Sequence, residues 1–341
     1  MSAFQRDHTP PVSDRATEEV RACPYCGNEA ADLWTYGRDQ LHHITDMTFP
    51  YFKCRDCDVI FLARRPCSNE MGAFYPVDYS PYRQSLPQEI CKPRSRTFKS
   101  KTFKRVFNGI TRRLLHFEIR AKSEVEKHYD KPMEGELFLD FGCGGSDCLD
   151  KMRKKGMRTI GIDFSPIPLE SLKAKGHQGL LVEPGLWKSI RDESVSFVRM
   201  NHVLEHLYNP RDVLAHLYEK LQRGGVLHVA VPNPSAWLAR AFRSDWWGLD
   251  CPRHLVLYPP TVLKGLLTEI GFGELEIIHE PAAKDHIRTW ALFLNDMGLT
   301  HIDDVNSLIH SRWREALFAV PAACAVIARG GDRFHVIARK K

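Results

Sequence analysis

From Leu137 onward the chain alternates short apolar runs with segments of helical period. Leu137-Phe-Leu-Asp-Phe141 is apolar apart from one Asp; glycines follow, then a helix predicted from about Ser146 to Lys155. Thr159-Ile-Gly-Ile-Asp163 reads as the next strand, and Pro166 to Lys175 as a helix that Ser165 can cap. A third strand is expected around Leu180 to Glu183 and a fourth at Val195 to Met200. Pro210 to Leu221 reads as a helix with Asn209 as cap and Pro210 at its first position, where a missing N–H costs nothing. Gly224-Gly225 is expected to end that helix, and Val226 to Val231 to form another strand. Strands alternating with helices predict an α/β fold, a mainly parallel sheet with helices on both faces. Such sheets bind ligands at the carboxyl ends of their strands, near the reversal of strand order.

The front of the chain has a different pattern. Residues 1–21 are polar, carry Pro10 and Pro11, and hold no apolar stretch long enough for a secretory signal, so a loose tail is expected. Residues 22–66 contain two cysteine pairs, 67–130 read as a linker with a basic helical segment, and 131–341 as the α/β domain. Between Lys92 and Lys127, apolar residues at 103, 106, 107, 110, 114 and 117 follow a helical period among many basic groups. A helix covering the catalytic pocket with a solvated basic face is the expectation; contact with phosphates of a nucleotide-sugar, a lipid-linked glycan or RNA is the alternative. The longest apolar run, Ala316 to Ala328, spans 13 residues and contains Pro321, so it reads as a buried helix rather than a membrane span.

Composition narrows the class. The 341 residues are 43% hydrophobic and 26% charged, ordinary for a globular protein, and the net charge of +6 is modest for a dedicated nucleic-acid binder. A cytoplasmic location is expected, with the ten cysteines reduced or metal-bound. Composition sets no oligomeric state. Cys23-Pro-Tyr-Cys26 and Cys54-Arg-Asp-Cys57 are separated by 27 residues, and each pair can turn two thiolates toward one centre. Four thiolates make a closed tetrahedral zinc site, structural because no position remains for water. Leu33 to Phe52 supplies strand-like residues for the gap; Cys67 and Cys91 stand apart.

The candidate chemistry begins where the first strand ends, in Asp140-Phe-Gly142-Cys143-Gly144-Gly145. Gly142 and Gly144 allow backbone to approach a ligand closely, and the helix that follows offers unpaired N–H groups. Asp163 closes the next strand 23 residues after Asp140, where a carboxylate can accept both hydroxyls of a ribose. A nicotinamide enzyme would place a third glycine where Asp147 stands.

Leu139-Asp-Phe-Gly-Cys-Gly144 resembles the first motif of the class I S-adenosylmethionine-dependent methyltransferases. Val203-Leu-Glu-His-Leu-Tyr-Asn-Pro210 is similar to the segment after that family's fourth strand, and Leu221-Gln-Arg-Gly-Gly-Val226 to the turn before its fifth. Pro252-Arg-His-Leu-Val-Leu-Tyr258 with Leu263 to Phe272 resembles the type 23 branch. The resemblance implies a Rossmann-like sheet of seven strands and S-adenosylmethionine as cofactor. Gly142, Cys143 and Gly144 would lie at the methionine part, Asp163 would hold the ribose and Phe164 would face the adenine. Asn201 and His202 would line the methionine end, and Asp140 would fix the loop or reach the amino group through water. Val195-Ser196 departs from the family's Phe-Asp at the fourth strand, which implies an altered local hydrogen bond.

The sulfonium is already activated, so the protein must position an acceptor, exclude water and, for a hydroxyl, remove a proton. His254 is the favoured base, with anchoring of its loop as the alternative; Glu205 and His206 compete as catalytic groups or as a capping and packing pair. Trp246 and Trp247 read equally as a ring-stacking platform or as packing. The front end resembles the zinc ribbon of sugar C-methyltransferases and glycan-cluster enzymes, and Tyr75-Pro-Val-Asp-Tyr79-Ser-Pro-Tyr82 their linker, expected to pack, or to extend Tyr79 and Tyr82 into the acceptor pocket. A small-molecule acceptor of the sugar, nucleotide-sugar or glycan-precursor kind is expected. An RNA methyltransferase and a non-catalytic S-adenosylmethionine-binding module are the alternatives.

Overall fold

The computed structural model describes residues 16–76, 79, 82, 116–130, 134–302, 304–327 and 330–341. The strands of the front half are β1 (Thr17–Glu19), β2 (Ala31–Gly37), β3 (Phe49–Cys54), β4 (Ile60–Leu62) and β5 (Arg64–Pro66), followed by helix α1 (His116–Lys127). Then come β6 (Leu137–Phe141), α2 (Asp147–Lys154), β7 (Arg158–Asp163), α3 (Pro166–Ala174), β8 (Gln178–Leu181) and β9 (Val195–Asn201). The chain continues through α4 (Pro210–Lys220), β10 (Leu221–Pro232), α5 (Trp237–Phe242), β11 (Val256–Leu257), α6 (Pro260–Ile270) and β12 (Phe272–Glu280). It closes with α7 (Ala283–Asp296), α8 (Arg312–Ile327) and β13 (Arg333–Lys340).

The expected seven-stranded sheet is observed, in the order β12-β13-β10-β9-β6-β7-β8. Strands β8, β7, β6, β9 and β10 run parallel, and β13 lies antiparallel between β10 and β12. The order reverses beside β6, so the carboxyl ends of β6 and β9 diverge into the crevice where such folds bind ligands. The central strands are buried on both faces, which is why they read as continuous apolar runs. Leu139, Phe141, Val198 and Met200 face one core with Leu214 and Leu217 of α4 and Leu263 and Leu267 of α6. Phe138 and Phe197 face the other, with Val125 of α1, Leu149 of α2 and Leu172 of α3.

Three expectations are corrected. The helix before β10 ends at Lys220, and Gly224-Gly225 sit inside the strand at a bulge between Leu221 and Val226. Gly224 has φ +73°, and a Cβ on Gly225 would lie 2.8 Å from the Gln222 carbonyl oxygen, so the bulge itself demands the glycines. Helix α8 is not buried all round: Ala319 and Ala322 face inward, while Trp313, Leu317, Val320 and Ile327 are exposed. Thr17–Glu19, assigned to the tail, is a strand paired with Arg64–Pro66. The basic helix predicted over 103–117 lies almost wholly outside the described residues; α1, which begins at His116, packs on the sheet face through Ala121 and Val125.

The cysteine-bearing front is not a separate body. Its sheet runs β11-β4-β3-β2, so Val256–Leu257, far along the chain, completes it. Phe49, Tyr51 and Phe61 share one core with Leu255, Val256 and Tyr258. Among the described residues, no helix is long and apolar enough to cross a membrane.

Candidate active site

The glycine loop is sewn to the end of β7. Gly142 and Cys143 N–H groups donate to the Ile162 carbonyl at 2.8 and 3.0 Å, and Gly144 N–H donates to Asp163 Oδ2 at 2.8 Å. Gly142 adopts φ +72° and Gly144 +60°. A Cβ on Gly142 would approach Val203 Cγ2 to 2.3 Å, so the loop and the turn after β9 meet there. Asp163, buried, also accepts from Ser165 N–H at 3.0 Å and from the Tyr82 hydroxyl at 3.1 Å. Burial pushes its carboxyl up, against the pull of these donors. Phe164, next in sequence, is 51% exposed and stands perpendicular to the Phe141 ring at 5.9 Å, which leaves ring surface free for a planar ligand. Cys143 is half-buried, and burial pushes its thiol up, so it is neutral at pH 7. A cradle without side chains, a carboxylate one residue before an open aromatic face, and N–H groups pinned in place fit an adenosyl amino acid.

Asp140 is placed differently from the expectation. It has no solvent exposure, and both oxygens accept from Arg199 Nη1 at 3.0 Å. Fixing the loop falls to Asp163 instead. Arg199 is the one charged residue of the mostly apolar strand Val195–Asn201, and the sheet register sets it beside Asp140 of β6. Ser196, at the position of the family's Asp, bonds both backbone groups of Leu137 at 3.1 Å.

Asn201 ends β9, and His202 follows in a left-handed conformation at φ +55°. The chain then forms a single 3-10 turn, Leu204–His206, whose Glu205 carbonyl accepts from Leu255 N–H at 2.7 Å. That bond draws the His254 loop over the turn. Glu205, His206 and His254 each bring one nitrogen or oxygen within 4.8 Å of the others. His254 Nδ1 lies 2.8 Å from the Gly248 carbonyl, which can only accept, so Nδ1 carries the proton and Nε2 a lone pair. Nε2 faces Glu205 Oε1 at 3.8 Å and Asp250 Oδ2 at 3.9 Å. His206 Nδ1 is likewise committed to the Arg253 carbonyl at 3.0 Å, with the Tyr75 hydroxyl at 3.1 Å. Burial, and then His254, push His206 down to about 4. Burial disfavours charge on Glu205, yet the hydrogen bond from His202 and the nearby imidazoles hold it down at about 2.

The linker tyrosines join these two regions. Tyr75, bonded to His206, meets Tyr79 edge-on at 5.0 Å; Tyr79 meets Tyr82 at 5.4 Å; and Tyr82 reaches Asp163. Tyr82 therefore goes to the nucleoside end of the crevice. Trp246 is buried against Gly248, and Trp247 carries the Arg288 guanidinium at 4.2 Å, so both tryptophans are engaged in packing.

The four cysteine sulfurs converge, with Cys23–Cys57 at 3.5 Å and Cys26–Cys54 and Cys26–Cys57 at 3.6 Å. A zinc tetrahedron with Zn–S bonds of ~2.3 Å has edges of about 3.8 Å, so the donor set fits that ion. From the same sheet Tyr51 donates its hydroxyl to the His254 carbonyl at 2.9 Å.

A family model described as a methyltransferase domain matches residues 98–277, more than half of the chain. The chain is 26% identical over 203 residues to the ubiquinone biosynthesis O-methyltransferase of Cereibacter sphaeroides, covering 54% of this chain and 79% of that protein. It is 31% identical over 102 residues to the mitochondrial ubiquinone biosynthesis O-methyltransferase of Schizosaccharomyces pombe, covering 27% and 36%. Among solved structures, a SAM dependent methyltransferase from Archaeoglobus fulgidus is 20% identical with a TM-score of 0.44, covering 70% of this chain and 98% of that one.

Proposed function

The chain belongs to the methyltransferase-domain family and is an S-adenosylmethionine-dependent methyltransferase, and from that premise we propose that it methylates a hydroxyl oxygen of a small acceptor of the sugar, nucleotide-sugar or glycan-precursor class. The observation that carries this reading is the position of the Glu205–His206–His254 cluster. It stands one turn beyond Asn201, and Val203 of the same segment abuts Gly142. Oxygen as the acceptor atom is supported by the O-methyltransferase relatives. The sugar class rests on the resemblance of the paired cysteines and the tyrosine linker to those of sugar C-methyltransferases and glycan-cluster enzymes.

Bound S-adenosylmethionine supplies a methyl group already activated on a sulfonium. Gly142, Cys143 and Gly144 receive its amino-acid part, Asp163 its ribose hydroxyls and Phe164 its adenine face, with Asn201 and His202 at the methionine end. His254 Nε2 takes the acceptor's proton. Its Nδ1–H, held by the Gly248 carbonyl, fixes the tautomer, and Glu205 favours the imidazolium that results. The four cysteines would hold a structural zinc at the end of β3, the strand that carries Tyr51, whose hydroxyl donates to the His254 carbonyl.

The test incubates purified, zinc-loaded protein and methyl-labelled cofactor with hydroxylated sugars, nucleotide-sugars and phenols. Mass spectrometry is expected to find a labelled methyl ether. Label transferred only to nitrogen, carbon or RNA would overturn the reading.

A further inference from the structure

The residue cluster that the proposed reaction uses as its base is also built like a metal site. Glu205 is 1% exposed, and its Oε2 has no hydrogen-bond partner among the described residues. A buried carboxylate oxygen left unpaired is costly and uncommon, and a missing cation is a standard cause. Its other oxygen is held at 3.3 Å by His202 Nδ1. His206 and His254 both commit Nδ1 to a backbone carbonyl, of Arg253 and Gly248 respectively, which leaves Nε2 of each as the available lone pair. Metal-ligating histidines are oriented in this way, with the second ring nitrogen donating to a carbonyl or carboxylate. The rings stand edge to face, their centroids 4.6 Å apart.

We propose that Glu205, His206 and His254 bind a divalent first-row transition cation, and that this ion receives the acceptor's hydroxyl oxygen. Two imidazole nitrogens and one carboxylate suit Mn2+, Fe2+, Co2+ or Zn2+ and leave coordination positions open, unlike the closed cysteine site. With bonds of ~2.1 Å, ligand separations fall to about 3.4 Å in a tetrahedron and ~3.0 Å in an octahedron. Glu205 Oε1 lies 3.8 Å from His254 Nε2, and a small rotation of the carboxylate that turns the unpaired Oε2 toward the imidazoles would let the ion take that oxygen while Oε1 keeps His202. The inference rests on the reading of this cluster as the acceptor pocket and alters how the proton leaves. On the ion, the hydroxyl is acidified and its proton passes to solvent. The oxygen forms a bond to the methyl carbon, the carbon–sulfur bond breaks, and its electron pair stays on sulfur as a neutral thioether. His254 is then a ligand rather than the direct base.

The test titrates Mn2+ into full-length protein whose cysteine site is loaded with zinc, and follows bound ion by electron paramagnetic resonance. Thiolates disfavour Mn2+, so the probe reports the Glu–His cluster. One bound Mn2+ per chain is expected, with affinity at least about tenfold weaker in Glu205→Gln and in His254→Gln, because losing even an outer-shell partner costs that much. Binding of hydroxylated acceptor is expected to change the Mn2+ spectrum. Methyl transfer is expected to fall on chelation that spares the cysteine-bound zinc and to return with Mn2+. Absence of bound Mn2+ in the unmutated protein, or equal binding by both variants, overturns the site. Undiminished transfer in the chelated enzyme overturns the ion's role and leaves His254 as base. If no hydroxylated acceptor is methylated with or without metal, it is the functional reading that fails, and Mn2+ binding still decides the site.

Discussion

Arg253 and Asp39 meet at 2.7 Å with neither side chain exposed to solvent. Asp39 follows strand β2 of the cysteine-bearing sheet, and Arg253 precedes His254. The same guanidinium donates to the Phe74 carbonyl at 2.9 Å and to Asp250 Oδ1 at 2.7–2.9 Å. Three distant stretches of chain thus converge on one residue that carries no catalytic role itself. Buried pairs gain little net stability over apolar packing, but breaking one strands a charge. The pair fixes where the His254 loop sits.

Asp39→Ala is therefore predicted to destabilise the fold by about 3–5 kcal/mol, the usual cost of stranding a buried charge. Urea unfolding monitored by circular dichroism measures it. A loss below ~1 kcal/mol would show that Phe74 and Asp250 suffice for Arg253.

The cysteine site acts on the same loop from the other side. In Cys54→Ser a cobalt-substituted chain is predicted to lose its thiolate-to-cobalt absorption, and methyl transfer is predicted to fall with it. The path is short: Cys54 ends β3, the strand that carries Tyr51, and Tyr51 donates to the His254 carbonyl. Full activity with the metal gone would separate the cysteine site from catalysis.

The sheet was legible in the sequence because strands buried on both faces leave unbroken apolar runs, and glycine or proline marks their ends. The glycine loop, Asp163 and the two CxxC pairs were legible for a related reason: each is local, its geometry set by neighbours in the chain. What failed depended on distance or on ambiguity. Gly224-Gly225 read as a helix stop because a stop and a bulge both favour positive φ. Val256–Leu257 is too short to show a period, so its pairing with Ile60–Leu62 could not be seen. Arg253 and Asp39 lie 214 residues apart, and nothing near either names the other. The tyrosine ladder was noted as a segment, but its span from His206 to Asp163 exists only in the folded chain.

Asp163 fixes Gly144, and in the proposed reading it also offers its carboxylate to the ribose. Asp163→Asn weakens both, and losing charge-assisted bonds of about 1.5–3 kcal/mol predicts cofactor binding about 10–100-fold weaker by calorimetry. Tyr82→Phe removes only the 3.1 Å bond to Oδ1 and is predicted to cost less than tenfold. Equal losses in the two variants would mean that the tyrosine, not the glycine loop, is the main support.

His254→Ala is predicted to lower turnover by about 10²–10⁴-fold, the usual contribution of proton removal, which His254 serves as base or as ligand of the ion that acidifies the hydroxyl, with cofactor affinity changed less than about threefold. Single-turnover kinetics beside calorimetry separates the two. Unchanged turnover would leave His254 as an anchor for its loop and remove it from the reaction.

Stability is predicted to fall on acidification through a group far from the crevice. His228 on β10 is buried between the Tyr129 hydroxyl and His335 Nδ1, the latter at 2.9 Å from its Nε2. Burial, and then His335, hold its pKa well below 6.5. The unfolded chain takes up this proton near pH ~6.5 while the folded chain refuses it, so below that pH the unfolded state binds more protons and stability drops as pH falls. The slope from this one group approaches about 1.4 kcal/mol per pH unit. His228→Gln keeps a hydrogen-bonding side chain but cannot titrate, so its melting temperature should decline less between pH 7.5 and 5.5 than that of the unmutated protein. Parallel declines in the two would place the acid sensitivity elsewhere in the fold.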